Sequence, residues 1–101
     1  MSMHIATFGL DGQIEREVPL PVDPHWELQV VSARRCFKLI PRMEDYYAET
    51  EYAVEELPQL LAELDAIASD LGPDTAEVAA PLRELIVYAI ANGKLLVVLS
   101  D

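Results

Sequence analysis

The chain is predicted to be an α+β domain: a mostly antiparallel sheet of four or five strands packed on two C-terminal helices, in the order β-β-(α)-β-α-α-β. Three observations predict it. Two alternating runs near the N-terminus flank an Asp11-Gly12 pair, a strong short-range hairpin signal. The region from Leu57 to Ala91 carries two successive apolar stripes of helical period, and the chain closes on the continuous apolar run Lys94–Leu99. The 101 residues suit one domain with a single core, and 51% of them are hydrophobic, as in a folded rather than a disordered chain.

The hairpin strands are expected over Met3–Leu10 and Gln13–Val18. In the second, Ile14 and Val18 face one way and Glu15 and Glu17 the other; Arg16 shares the apolar face, which marks an edge strand. Pro19 and Pro21 end the pairing, because proline has no ladder donor. A helix is expected from about Pro24 to Arg35, with Asp23 as N-cap, Pro24 at the first helical position, and Trp26, Val30, Ala33, Phe37 and Ile40 on its apolar face. Leu28/Val30 and Arg35/Phe37/Leu39 also fit two strands around a turn at Ser32-Ala33. Lys38–Ile40 reads as short and extended before Pro41.

Tyr47–Val54 alternates with period two: Ala48, Thr50, Tyr52 and Val54 on one face, Glu49, Glu51 and Ala53 on the other. Leu57–Leu71 follows as the main core helix, with Pro58 in its first turn, Gly72 past its end and Pro73 barring continuation. Asp74-Thr75-Ala76-Glu77 has capping-box spacing for a second helix to about Ala91, which Pro81 should kink or restart. Asn92-Gly93 ends it with a left-handed cap. Lys94–Leu99 is then a strand covered on both faces, hence central, with Ser100 and Asp101 at its end.

The net charge is −11 at pH 7, which makes nucleic acid and anionic membranes poor partners. No apolar run approaches the roughly 20 residues that span a bilayer. The N-terminal residues lack the basic start and apolar core of a signal peptide, and the single cysteine, Cys36, allows no intrachain disulfide; both favour a cytoplasmic setting. Cys36 is expected as a small buried residue. His4 and His25 belong to no ligand-spaced cluster, and neither a P-loop, a G-x-G-x-x-G nor a G-x-S-x-G occurs, so the residues point to no metal, no cofactor and no catalytic group.

Charge is unevenly placed. Met43–Leu82 holds eleven acidic residues and no basic one, whereas Leu28–Met43 holds Arg34, Arg35, Lys38 and Arg42 and no acidic one. Pairing between the two segments is one reading; an acidic face built to meet a basic partner is the other. The second singles out Glu44–Glu56, where six of thirteen residues are acidic and three are tyrosine. Tyrosine buries a large area while keeping a polar tip, and carboxylates steer a basic partner. Glu44, Asp45, Tyr46, Tyr47, Glu49 and Glu51 are therefore the candidate partner-binding residues. Tyr52, and one of Tyr46 and Tyr47, could instead serve the core, and Trp26 could be a core anchor or an exposed contact.

In type, the chain resembles the small acidic immunity proteins of bacterial toxin–immunity systems: about 100 residues, acidic α+β, an acidic tyrosine-bearing segment, two helices and a final strand. The resemblance rests on no diagnostic motif. It implies stoichiometric binding to a basic toxin, such as a nuclease, without catalysis. Self-association is the alternative: a homodimer in which Lys94–Leu99 lies at the seam, or in which the basic segment of one copy meets the acidic segment of the other.

Overall fold

The computed structural model describes residues 3–100; Asp101, expected at the end of the last strand, lies outside the described residues. Four strands form one antiparallel sheet. They are β1 (Met3–Phe8), β2 (Ile14–Leu20), β3 (Thr50–Tyr52) and β4 (Leu96–Ser100), in the spatial order β2-β1-β4-β3. Three helices pack on one face of it: α1 (Val22–Arg34), α2 (Leu57–Ile67) and α3 (Pro73–Asn92). The class is the α+β arrangement predicted, with α1 joining the two C-terminal helices in the covering layer.

The hairpin forms at Asp11-Gly12. The Gly12 amide donates to the Gly9 carbonyl at 3.0 Å, and Gly12 takes φ 79°, which a side chain would disfavour. Gly9 and Leu10 belong to this turn, so β1 is shorter than predicted. β2, in contrast, runs through Pro19, which sits opposite His4, and ends at Leu20 opposite Met3. β2 is an edge strand, as Arg16 implied, and an edge tolerates the missing donor of proline. The register shifts between Thr7 and Phe8, where Arg16 and Ile14 are the successive partners and Glu15 is bulged out. The bulge overturns the expected faces: Ile14, opposite Phe8, lies on the sheet face away from the helices, and Val18, opposite Ile5, lies on the core face.

Helix α1 confirms the helical reading over the two-strand one, but begins earlier: Pro21 is the N-cap, not Asp23, and the His25 amide donates to the Pro21 carbonyl at 3.0 Å. Its orientation reverses the prediction. Pro24, His25, Leu28, Gln29, Val31 and Ser32 are buried, while Trp26 is 68% exposed and Ala33 is exposed. Two of the polar residues on the buried face find backbone partners, His25 Nε2 donating to the Met43 carbonyl at 2.7 Å and Gln29 Nε2 to the Ile40 carbonyl at 3.0 Å, whereas the buried Ser32 Oγ has none among the described residues. The helix ends in a Schellman pair, Cys36 N–H to Ala33 carbonyl and Phe37 N–H to Ser32 carbonyl. Cys36 fills the left-handed position at φ 56° and is exposed, not buried as expected. Lys38–Ile40 is not extended; the chain enters a 3₁₀ turn at Ile40–Met43.

The predicted strand Tyr47–Val54 is reduced to β3, three residues long, because Asp45–Ala48 forms a turn and Val54–Glu56 a 3₁₀ turn leading into α2. Of the expected stripe Leu57, Leu60, Leu61, Leu64, Ala68 and Leu71, helix α2 buries Leu57, Leu60 and Leu64, with Ile67 beside them; Leu61 and Leu71 are half-buried, and Ala68, exposed, begins a 3₁₀ turn over Ala68–Asp70. Helix α3 passes Pro81 unbroken. Its N-cap is Gly72 without a side-chain cap of its own, so the Asp74–Glu77 capping box is not formed. The cap comes from α1 instead: Glu27 accepts the Gly72 amide at 2.9 Å. Gly93 closes α3 at φ 62°, as Asn92-Gly93 predicted.

β4 is central, as expected, but only one of its faces is covered. Leu96 and Val98 are fully buried against the helices; Val97 and Leu99 are half-exposed on the other face. The core between sheet and helices includes Ile5, Leu20, Leu28, Tyr52, Leu64 and Ile86. Burial of each such leucine or isoleucine contributes about 2 kcal/mol.

Candidate protein-docking surface

The candidate residues lie on one continuous segment that crosses the β3 end of the sheet. Glu44 closes the Ile40–Met43 turn, its amide donating to the Pro41 carbonyl at 3.1 Å, and its side chain borders a groove with Trp26, Gln29, Val30 and Ala33. Asp45 accepts the Tyr47 amide through Oδ1 at 2.9 Å, a local turn that keeps its carboxylate at the surface.

The two tyrosine rings then part. Tyr46 turns inward: its hydroxyl donates to the Leu20 carbonyl at 2.9 Å and accepts the Met3 amide at 3.3 Å, and its ring meets His25 edge-on at 5.0 Å. Ser100 Oγ donates to the Tyr46 carbonyl at 2.7 Å, so this one residue ties the segment to β1, β2 and β4. Tyr47 turns outward and is 64% exposed, its ring edge-on to Tyr46 at 5.7 Å. Glu49 and Glu51 are both exposed, but only Glu51 belongs to β3. Tyr52 is 1% exposed and donates to the Leu39 carbonyl at 2.6 Å; burial raises its pKa well above the ordinary phenol value. Tyr46 and Tyr52 are thus anchors, while Glu44, Asp45, Tyr47, Glu49 and Glu51 form the presented surface.

Pairing between the basic and acidic segments is realised in part. Arg42 forms a bidentate pair with Glu56, and its Nη1 also donates to the Glu51 carbonyl at 3.0 Å. The Arg42 hydrogen bond, with the Ala53 amide, holds the Glu56 carboxyl at a pKa of about 2. Arg35 pairs with Asp70 at 2.9 Å, and Arg83 with Asp65 at 2.7 Å. Glu44, Asp45, Glu49, Glu51 and Glu55 form no ion pair with a described residue. Removing Arg35 and Arg42 into internal pairs leaves this segment as an uncompensated carboxylate surface.

Two polar clusters escaped sequence reasoning. Glu63, on the apolar stripe side of α2 and only 2% exposed, accepts the amides of Leu39 at 3.2 Å and Ile40 at 3.0 Å, with Lys38 at 3.4 Å. It holds the Lys38–Ile40 loop and, through it, the Leu39 carbonyl that receives Tyr52. At the opposite corner the bulged Glu15 accepts the Tyr88 hydroxyl at 2.8 Å and lies 3.5 Å from Lys94 Nζ; the Tyr88 hydrogen bond lowers its pKa. Arg16 stacks over Tyr88 at 3.9 Å. The one sequence signal for Glu63 is a carboxylate between Leu60 and Leu64; the Glu15 cluster joins residues 73 positions apart and leaves none. Among the described residues no group of three or more His, Cys, Asp or Glu is placed to hold a metal ion, and no helix is long and apolar enough to cross a membrane.

The geometry defines a two-layer α+β protein with an acidic, aromatic-bearing surface at one sheet margin. No protein-family model, curated protein or solved structure matches the chain.

Proposed function

We propose that this chain is a non-catalytic protein-binding module that docks a basic protein, in the way expected of an immunity protein that neutralises a basic toxin such as a nuclease. The observation that carries the reading is the segment Glu44–Glu51. Tyr46 and Tyr52 bolt it to the core through main-chain carbonyls, and its carboxylates face solvent without intramolecular cations. A pre-organised acidic surface accelerates encounter with a cationic partner and loses little entropy on docking.

Self-association of the basic segment with the acidic segment of a second copy has less support. Of that segment's four cations, Arg35 and Arg42 are already engaged by Asp70 and Glu56 within the chain, which leaves only Arg34 and Lys38 for such a contact.

Affinity capture from native-host lysate at low and high salt tests the proposal, with the wild type beside Glu49→Lys/Glu51→Lys. The expected outcome is one basic protein at near-equal stoichiometry, released by salt and bound at least about tenfold more weakly by the double variant. Unchanged binding by the double variant removes the acidic segment from the interface.

A further inference from the structure

The outer face of the sheet is more apolar than its surroundings explain. In a one-sided antiparallel sheet the solvent face is normally polar. Here Leu95 is 43% exposed and Ile14 47%, and Phe8, Val97 and Leu99 are half-exposed and lie outside the core cluster. The register groups four of them, with Val97 opposite Ala6, Leu99 opposite His4, and Phe8 opposite Ile14; Leu95, just before β4, shares the side of Val97 and Leu99 by alternation. One row across all four strands reads Glu17, Ala6, Val97, Glu51, with an apolar centre and a carboxylate at each margin. The remaining charged or titratable side chain of the described strands on this face is His4, 3.7 Å from Glu17.

We infer that this outer sheet face is the centre of the docking surface, and that its occupant is a protein surface apolar in the middle and cationic at both margins. The inference rests on the proposed function and adds an apolar centre to the acidic rim, the anatomy of a specific interface.

Charge complementarity selects the occupant. An aligned face-to-face stack of two copies lays the β2 margin of one over the β2 or β3 margin of the other. Glu17 then meets Glu17 or Glu51, and like carboxylates are desolvated together. Nucleic acid and anionic lipid meet the same two marginal carboxylates, Glu17 and Glu51. Strand addition at an edge is disfavoured as well, because β2 carries Pro19, a bulge and the inward Arg16, and β3 has three residues. The cations of the partner should stand about 14 Å apart, three inter-strand spacings, to reach Glu17 and Glu51 together.

The test places photo-reactive benzoylphenylalanine at position 14 or 95 of the full chain in native-host cells, with position 87 on the exposed surface of α3 as control. The expected adduct is one basic protein, formed from positions 14 and 95 but not 87, and lost with Glu17→Lys/Glu51→Lys. Leu95→Glu, with circular dichroism unchanged, should weaken binding to that purified protein at least about tenfold. An adduct with another copy of this chain, an adduct with an acidic protein, equal labelling from position 87, or no adduct overturns the inference. If capture yields a basic partner dependent on Glu49 and Glu51 while positions 14 and 95 stay unlabelled, the inference fails and the docking function stands. If no basic partner is captured, both fail.

Discussion

Single residues carry strain and compensation that the fold depends on. Cys36 takes the left-handed cap position that glycine usually fills, at a cost of order 1–2 kcal/mol for an L-residue. Cys36→Gly should therefore raise the urea midpoint, by about 1 kcal/mol of stability after the extra chain entropy of glycine; an unchanged or lower midpoint would show that the cap is unstrained. Glu63 is the opposite case, a buried carboxylate kept by backbone donors. Glu63→Ala leaves those amides unpaired and should cost about 2–4 kcal/mol in denaturant unfolding. Glu56 sets a pH window. Its folded pKa is about 2, below its ordinary 4.5, so its stabilising contribution is fully present above pH 4.5 and fades as the pH falls towards 2. Glu56→Gln should flatten that part of the stability–pH curve, and an unaltered curve would mean that the Arg42 pair is not formed in solution.

At the level of elements, the informative case is α1. Trp26, Val30 and Ala33 share a helical face that reads as the buried one, yet the face bearing His25, Gln29 and Ser32 goes inward. Periodicity ranks faces by hydrophobicity; it does not register that His25 and Gln29 meet carbonyls delivered by the 40–43 turn. Trp26 is the sole tryptophan, so its fluorescence is a direct check. Its emission should be that of a hydrated indole, open to acrylamide in the native state, and Trp26→Ala should change stability by no more than about 0.5 kcal/mol. A blue-shifted, protected indole would contradict this placement. Helix α3 depends on α1 for its cap, and the hydrogen bond from Thr75, with that from Gly72, lowers the pKa of Glu27. Glu27→Gln should accelerate hydrogen exchange at the first amides of α3.

For the molecule as a whole, the strong local signals were legible in the chain: the Asp11-Gly12 turn, the leucine stripe of α2, the Gly93 cap and the apolar run of β4. Each depends on interactions within a few residues or on a pattern that repeats. Of the candidate surface, the carboxylates at 44, 45, 49 and 51 were legible as exposed, because charge places all four outward and the period-two alternation adds to it at 49 and 51. The division of Tyr46 and Tyr47 into anchor and contact was not, since it turns on the distant carbonyl of Leu20. The sequence by itself determined the α+β class, the acidic character of the chain and the identity of β4 as one of its two central strands. Only the tertiary structure decided which face of α1 is buried, where the β2 bulge reverses the side chains, which arginines are spent on internal pairs, and that one face of β4 stays uncovered. Those outcomes rest on partners far apart in the chain, whose meeting is set by packing and by the need to satisfy buried polar groups rather than by any local pattern.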